Sequence, residues 1–314
     1  MNTCFLYPGQ GAQYPGMGKE LYEARSSVKE LFDMASDMCG IDTRRLLFDA
    51  DEQELKETRN TQIAVTLMNL TVRNCLLQEG IESAGCAGFS LGEWSALADA
   101  GTISERDLLP VVMKRAEMMT EAADSLNIPG GSGMAAVVGL ASEEVEKALE
   151  GINEVYPANY NAPDQTVISG TSRGVEAGAE SCKNAGARRV IPLKVSGPFH
   201  TPLMDAAAHA FESYLEGCTL SDPSKYLYSN ATGGEVHSVE EVRRNGSLQI
   251  NSPVRWTSEE EAIAGKGYEL CIECGPGRVL TGLWKRSGKK VPCLPAGSLK
   301  EIDTVMQKIR EMDL

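Results

Sequence analysis

The sequence feature that most constrains the fold is the turn Gly88-Phe89-Ser90-Leu91-Gly92. The apolar run 84–87 precedes it and an alanine-containing run, 94–100, follows it, which is the pattern of a strand that leads through a sharp turn into a helix. Glycines on both sides of Ser90 permit this reversal, because a Cβ at either position would collide with the turn. The pattern predicts a serine hydroxyl beside the free N–H groups of a helix start, where an oxyanion can be stabilised. Five residues alone leave open a tight turn with a surface serine.

Strands and helices alternate on both sides of the Ser90 turn, so the sequence predicts an α/β fold with a mainly parallel sheet. Between residues 129 and 197 the predicted elements become shorter and follow the order βαββαβ, the ferredoxin-like arrangement. We therefore expect a large α/β domain made of residues 1–128 and 198–314, with a small subdomain, 129–197, inserted in it. The stretch 233–246 is expected to be a loop-rich connection.

Composition restricts the class of protein and its partners. A formal net charge of −14 over 314 residues argues against nucleic acid. No apolar run is long enough to span a membrane, and no basic segment precedes the short apolar run 5–7 as in a signal peptide, so we expect a cytoplasmic protein with no membrane partner. Nine scattered cysteines favour reduced thiols over disulfides. Cys271 and Cys274 have C-x-x-C spacing without a second pair, so no metal site is predicted.

A serine hydroxyl needs a base to become a good nucleophile, and histidine is the usual base near neutral pH. The chain has three histidines. His209 lies beside alanines on a predicted helix, and His237 lies in a polar loop. His200 instead follows Pro198-Phe199 at the junction where the insert rejoins the large domain. His200 is therefore the candidate base for Ser90. Either Asp205 or a backbone carbonyl near Gln249 can orient its ring, and the sequence leaves both open.

Arg115 lies on the apolar face of a predicted helix, 104–125. Spacings of three and four define that face, which comprises Leu108, Val111, Val112, Met118 and Met119. A guanidinium on a buried face needs an anion or several acceptors, because it does not deprotonate and an unpaired buried charge is costly. The sequence leaves open whether that anion is a ligand or a core carboxylate.

The order and spacing of these and further motifs resemble the malonyl-CoA:acyl-carrier-protein transacylase family over nearly the whole chain. Besides the Ser90 turn, Glu93 and Arg115, the motifs are Pro8-Gly9-Gln10-Gly11, Ala158-Asn159-Tyr160-Asn161, Val195-Ser196-Gly197-Pro198-Phe199-His200, Asn251-Ser252-Pro253-Val254 and Gly275-Pro276-Gly277. The resemblance implies an α/β-hydrolase-like large domain with a mainly parallel sheet and an inserted ferredoxin-like (βαββαβ) small subdomain.

The resemblance also implies roles for individual residues. Ser90 would be the nucleophile and His200 the base, and the backbone amides of Gln10 and Leu91 would form the oxyanion hole. Arg115 would bind the malonate carboxylate, and the main-chain carbonyl of Gln249 would orient His200.

Two phenylalanines concern the acyl pocket. Phe199, directly before His200, resembles malonate-selective acyltransferases. Phe89 stands where the family usually has histidine and cannot donate a hydrogen bond, so the polarity of the pocket beside the acyl group departs from the family pattern.

The activity implied is ping-pong transfer of malonate from malonyl-CoA to the phosphopantetheine thiol of acyl carrier protein for fatty-acid synthesis, by a monomer without a bound cofactor. Alternatives are a freestanding acyltransferase of a polyketide pathway, a serine thioesterase or hydrolase, and a non-catalytic module that binds nucleotide or coenzyme A. An acidic carrier needs a local basic surface on this acidic chain. The cations of the insert are the first candidates for that surface and those near residue 285 the second: Lys183, Arg188, Arg189 and Lys194, then Lys285 and Arg286.

Overall fold

The computed structural model describes residues 1–193, 195 and 197–312. The strands are β1 Thr3–Tyr7, β2 Gly85–Gly88, β3 Ser132–Val138, β4 Val155–Ala162, β5 Gln165–Thr171, β6 Arg189–Leu193, β7 Tyr226–Tyr228, β8 Glu235–Val236, β9 Leu270–Glu273 and β10 Cys293–Pro295. The helices are α1 Lys19–Ala24, α2 Ser26–Cys39, α3 Thr43–Phe48, α4 Glu52–Lys56, α5 Thr58–Gln78, α6 Leu91–Asp99, α7 Glu105–Ser125, α8 Ser142–Leu149, α9 Ser172–Asn184, α10 Asp205–Glu216, α11 Val239–Asn251, α12 Trp256–Gly265, α13 Val279–Arg286 and α14 Leu299–Met312. A 3₁₀ turn, Pro202–Met204, precedes α10.

The larger sheet has six strands in the order β10-β9-β1-β2-β7-β8. Its neighbouring strands pair in parallel except β7 and β8, which are antiparallel. Every residue of β1 and β2 is buried, as expected for central strands of a sheet covered on both faces. Tyr7 pairs with Gly88 at the carboxyl ends of these strands. The loop that follows β1 and the Ser90 turn that follows β2 therefore leave the sheet at the same edge, where α/β proteins bind ligands.

The smaller sheet is antiparallel, with the order β4-β5-β3-β6. With α8 and α9 its chain order is βαββαβ, and it has an apolar cluster of its own, centred on residues such as Val137, Val145 and Ile168. The predicted fold class, a mainly parallel α/β sheet with a separate antiparallel sheet, is confirmed. The division at 128/129 and 197/198 stays a prediction.

Two sets of contacts join the small sheet to the large domain. Val254 exchanges backbone hydrogen bonds of 2.9 Å with the β4 strand, donating to the Ala158 carbonyl and accepting from the Tyr160 amide. On the other side, Nε and Nη2 of Arg286, on α13, donate to the two carboxylate oxygens of Asp164 at 2.6 and 2.8 Å. The 158–161 and 251–254 motifs thus meet each other in the fold.

The predicted loop-rich stretch 233–246 was wrong in its second half, where α11 begins at Val239. Ser238 caps this helix by accepting from the Glu241 amide, and Glu241 accepts from the His237 amide at 2.7 Å. A Cβ on Gly246 would lie 3.2 Å from the Trp94 ring, so this glycine allows α11 to approach α6 closely. The Ser-x-x-Glu capping pattern was the overlooked signal.

The nine cysteines are free thiols, and seven of them are buried. Within the described residues, no helix combines the length and the apolar character that crossing a bilayer requires.

Candidate active site

Ser90 lies at the N-cap of α6 with φ 51° and ψ −109°, a strained conformation for a residue other than glycine. The two flanking glycines are required by close backbone contacts. A Cβ on Gly88 would lie 2.1 Å from the carbonyl carbon of Gly92, and a Cβ on Gly92 would lie 1.9 Å from the Tyr7 carbonyl oxygen. The turn therefore projects Ser90 at the carboxyl edge of the sheet, as the glycine spacing predicted.

The side chains of Ser90 and His200 are hydrogen-bonded, with Oγ 2.9 Å from Nε2. On the other side of the ring, Nδ1 lies 2.7 Å from the main-chain carbonyl oxygen of Gln249, so Nδ1–H donates and Nε2 is left to accept the serine proton. Asp205 does not orient the ring, because it accepts from Nδ2 of Asn251 at 2.8 Å. Of the two arrangements that the sequence left open, the structure has the one with a backbone carbonyl.

The environment of His200 favours its neutral form. Burial lowers the pKa of the imidazole, and the positive charge of Arg115 lowers it further, to about 4. The hydrogen bond to the Gln249 carbonyl opposes this shift without reversing it. At neutral pH the ring is therefore unprotonated and able to accept a proton from Ser90.

The loop after β1 packs tightly against the Ser90 turn. A Cβ on Gly9 would lie 2.2 Å from the carbonyl oxygen of Phe89, so only glycine allows this approach. The next residue, Gln10, lines the same cavity as Ser90 and Leu91. Leu91 is the first residue of α6, where an amide has no intrahelical acceptor. Two backbone segments that are far apart in sequence thus reach the nucleophile together.

Arg115 is only 1% exposed, and its guanidinium lies beside the hydroxyl of Ser90. Its Nη2 donates to Oε1 of Gln249 at 2.9 Å and lies 3.4 Å from Oγ of Ser90. Within the part of the chain that the structure describes, its Nε has no hydrogen-bond partner. Burial lowers the pKa of this guanidinium to about 10, against the opposing charge of Glu93. Among the described side chains no carboxylate forms a direct ion pair with it, and the buried Glu93 acts on it only through its charge.

The cavity above Ser90 has a volume of about 230 Å³ and lies between the two sheets. Phe89 and Phe199 both line it, and Phe89 packs edge-on against Trp256 with ring centroids 5.6 Å apart. Its lining is otherwise mostly aliphatic and thioether side chains. The cavity thus combines an apolar wall with one buried cation.

The sequence profile described as "Acyl transferase domain" matches residues 4–310. The chain belongs to the acyl transferase domain family. This acyl transferase is 38% identical over 313 residues to the malonyl CoA-acyl carrier protein transacylase of Bacillus subtilis, covering 98% of this chain and 97% of the relative. It is 37% identical over 303 residues to the Escherichia coli K12 protein of the same name, covering 95% and 96%.

Solved structures share the whole fold of the acyl transferase. An acyl carrier protein S-malonyltransferase from Vibrio cholerae superposes with a TM-score of 0.92 at 35% identity, covering 97% of this chain and all of that one. A malonyl-transacylase in complex with its type II PKS acyl-carrier protein superposes with a TM-score of 0.93 at 34% identity, covering 98% and 100%.

Three residues of the acyl transferase lie directly beneath Ser90: Glu93, Asn230 and Glu259. The sequence analysis named Glu93 only as part of a motif, without a role, and missed Asn230 and Glu259. All three side chains are buried, and each hydrogen-bonds to another of them or to the Ser90 turn. Glu93 carried a signal, because a carboxylate inside the apolar start of a helix needs a buried partner. Asn230 and Glu259 had no comparable signal, since their neighbours come from distant segments.

The predicted carrier-binding cations have different surroundings in the acyl transferase. Lys183, Arg188 and Arg189 are exposed on the small subdomain, whereas Lys194 lies outside the described residues. Arg286 is engaged with Asp164 in the bidentate ion pair described above, and the charge of that carboxylate offsets its own. Lys285 is exposed like the cations of the first group, so of the described candidates Arg286 offers the least available positive charge.

Proposed function

We propose that this protein transfers the malonyl group of malonyl-CoA to the phosphopantetheine thiol of acyl carrier protein by a ping-pong mechanism, in which Ser90 and His200 are catalytic. One observation carries the proposal. A buried guanidinium with an unpartnered Nε lies 3.4 Å from the oxygen of a serine that is itself bonded to a neutral histidine. The names of the relatives, malonyl CoA-acyl carrier protein transacylases, support the same substrate and acceptor.

In the first half-reaction, Oγ of Ser90 attacks the thioester carbonyl carbon while its proton passes to Nε2 of His200. The carbonyl oxygen becomes an oxyanion, which the backbone amides of Gln10 and Leu91 stabilise. The C–S bond then breaks, and coenzyme A leaves as a thiol with the proton from His200. Malonate remains as an ester on Ser90.

In the second half-reaction, the carrier thiol takes the place of coenzyme A. His200 accepts the thiol proton, the sulfur attacks the ester carbonyl, and the C–O bond to Ser90 breaks as the proton returns to Oγ. The products are malonyl-carrier thioester and free enzyme, so the sequence of steps is balanced without a cofactor.

Arg115 selects a substrate that ends in a carboxylate. Its fork of N–H groups matches a carboxylate in bidentate geometry, and in a buried cavity such a pair is a strong interaction. An acetyl group in the same place would leave the guanidinium desolvated and unpaired. A hydrolase that accepts any acyl group has no need of this cation.

The experiment is intact-mass spectrometry of the purified chain after mixing with malonyl-CoA, followed by addition of a phosphopantetheinylated carrier. We expect a mass increase of one malonyl group that disappears when the carrier is added, with malonyl-carrier as the product. Ser90→Ala is the control and should form no adduct. Absence of the adduct in the unaltered chain, or its loss to water alone, would contradict the proposal in favour of a binding module or a hydrolase.

The carrier is proposed to be that of fatty-acid synthesis, in the cytoplasm. A type II PKS carrier is the second candidate, because a structural neighbour is a complex with such a carrier. Comparing kcat/KM for the two carrier types with the same malonyl-enzyme separates them, and a clear preference for the PKS carrier would replace the first assignment.

A further inference from the structure

The backbone of the strained Ser90 turn is held from below by one carboxamide. Oδ1 of Asn230 accepts from the Ser90 amide at 2.5 Å, and Nδ2 donates to the Gly88 carbonyl at 2.7 Å. Nδ2 also donates to Oε1 of Glu259 at 2.7 Å. Asn230 thereby satisfies both polar groups that the reversal leaves unpaired, which a buried turn requires.

Glu93, in the first turn of α6, links the backbone N–H of Asn230 to the side-chain carboxamide of Gln249. Its Oε2 accepts from the Asn230 amide at 3.1 Å and from Nε2 of Gln249 at 2.5 Å. The side chain is buried, so both bonds are formed away from water, where a charge-assisted hydrogen bond is strong. The carboxylate therefore determines which end of the Gln249 amide faces it.

The orientation of the Gln249 side chain has a consequence at the other end of the amide. With Nε2 directed at Glu93 and at the Ser90 carbonyl, 3.0 Å away, Oε1 must face the opposite way, where it accepts from Nη2 of Arg115. In the reversed orientation, the amide N–H groups would face the guanidinium N–H groups, donor against donor. Glu93 thus fixes the acceptor that holds Arg115.

We propose that Glu93 is a positioning residue for substrate selection: by orienting the side chain of Gln249, it holds the guanidinium of Arg115 at the carboxylate end of the acyl pocket. This inference rests on the function proposed above. It adds a residue that touches neither the substrate nor the side chain of Ser90 and that acts on Arg115 through Gln249.

The charges of the network agree with this role. Burial raises the pKa of Glu93 to about 7, while its hydrogen bonds to Gln249 and Asn230 and the charge of Arg115 act in the opposite direction. Burial, and then the neighbouring charge of Glu93, raise the pKa of Glu259 well above its usual value. The charge of Arg115 thus favours the ionised form of Glu93, the form that accepts from Gln249.

Glu260 provides a matched control. It is a neighbouring carboxyl group on α12, fully buried, and burial raises its pKa to about 7 as well. Its Oε1 accepts from Nε1 of Trp256 at 3.0 Å, and it makes no hydrogen bond to Gln249, Asn230 or the Ser90 turn among the described residues. The Glu260→Ala variant therefore shows how the loss of a buried carboxyl group outside the Gln249 network affects stability and activity.

The test compares kcat/KM for malonyl-CoA with kcat/KM for acetyl-CoA in variants of the full chain. We expect Glu93→Ala to lower the malonyl-to-acetyl ratio about tenfold, the size of a lost hydrogen bond to a charged group. Glu93→Gln should keep the ratio within about threefold, because its carbonyl oxygen accepts the same two bonds. Glu260→Ala should leave the ratio unchanged.

A double-mutant cycle tests whether Glu93 acts through Gln249. Gln249→Met removes the side-chain amide but keeps the main-chain carbonyl that orients His200. It should therefore lower the malonyl-to-acetyl ratio as Glu93→Ala does. The ratio of the double variant should be no lower than that of either single variant. Additive losses, or an unchanged ratio in Glu93→Ala, overturn the proposal. If Glu93→Ala does not fold, an unchanged ratio in Gln249→Met overturns it. Failure of the unaltered chain to form malonyl-Ser90 refutes the proposed function instead.

Discussion

Nη2 of Arg115 donates to Oε1 of Gln249 at 2.9 Å, so a neutral amide, and not a carboxylate, holds this buried guanidinium. A neutral partner fixes the position of the cation but does not neutralise it. With no direct ion pair among the described residues, the guanidinium and its unpartnered Nε are left for a ligand. A buried guanidinium without a direct ion pair is unfavourable until an anion binds, so the site favours an acyl group that ends in a carboxylate.

The first prediction concerns the series Arg115→Lys and Arg115→Met. Lysine keeps the charge but loses the fork of donors, and methionine loses both. We expect the malonyl-to-acetyl ratio of kcat/KM to fall in the order Arg, Lys, Met, by about 100-fold or more for methionine, since one buried charged pair is worth roughly 3 kcal/mol or more. The change in the free energy of unfolding of Arg115→Met should stay within about 1 kcal/mol, because no ion pair is broken. An unaltered ratio in both variants would remove Arg115 from the acyl pocket.

The second prediction concerns pH. The pKa of His200 is lowered to about 4, and the neutral ring is the proposed base, so acylation should decline only as the pH falls towards 4. Between pH 8 and pH 5.5, the single-turnover rate of malonyl-Ser90 formation should change by less than about twofold, whereas a histidine with an ordinary pKa would lose about tenfold. Stopped-flow or quenched-flow measurement gives this rate. The Glu93→Gln variant is measured alongside, because Glu93 titrates near pH 7 in the same network.

The third prediction concerns the approach of Gly9 to Phe89. Because a Cβ on Gly9 would lie 2.2 Å from the Phe89 carbonyl oxygen, Gly9→Ala must move the Gln10 amide away from the Leu91 amide. Loss of one oxyanion donor lowers kcat by about 10²–10³-fold, so we expect a fall of that size with little change in KM. Gly265→Ala, where a Cβ would meet nothing within 4 Å, is the control and should retain activity. A Gly9→Ala enzyme with normal kcat would argue against an oxyanion hole at this loop.

The fourth prediction concerns the basic surface of the small subdomain. Reversal of charge in the pair Arg188→Glu and Arg189→Glu should lower kcat/KM for an acidic carrier about tenfold, with a smaller effect at high salt. Hydrolysis of malonyl-enzyme and the coenzyme A half-reaction should be unaffected. Reversal of Lys300 and Arg310, exposed cations on α14, is the matched control. Equal effects of the two pairs would mean that net charge, and not this surface, governs carrier binding.

Most of the fold could be predicted because its signals are local. Alternating apolar runs, the glycines around Ser90 and the shorter elements after residue 129 gave the strand and helix order. The second half of 233–246 was predicted wrongly as a loop. The glycine at its end, Gly246, has a tertiary role that the sequence does not show, because it lets α11 pack against Trp94. The polar residues that cap α11 were also ambiguous, because such residues occur both in turns and at helix starts.

The candidate site could be predicted only in part. Ser90 and Arg115 lie in elements whose geometry constrains their side chains, and His200 lies at a rigid junction, so patterns within each segment pointed to them. Asn230 could not be found in this way. It contacts the Ser90 turn from 140 positions away, and only the packing of β7 beside β2 brings it there. Interactions that depend on sheet order have no signature within one segment.

The close contact between Gly9 and the Phe89 carbonyl also bears on how this enzyme can change over evolutionary time. The proposed oxyanion hole consists of main-chain amides, so the side chains at 10 and 91 can vary without removing it. The glycines at 9, 88 and 92 cannot vary in the same way, because a Cβ at any of them would displace backbone atoms. Mutational tolerance in this pocket should therefore be lowest where the side chains are absent.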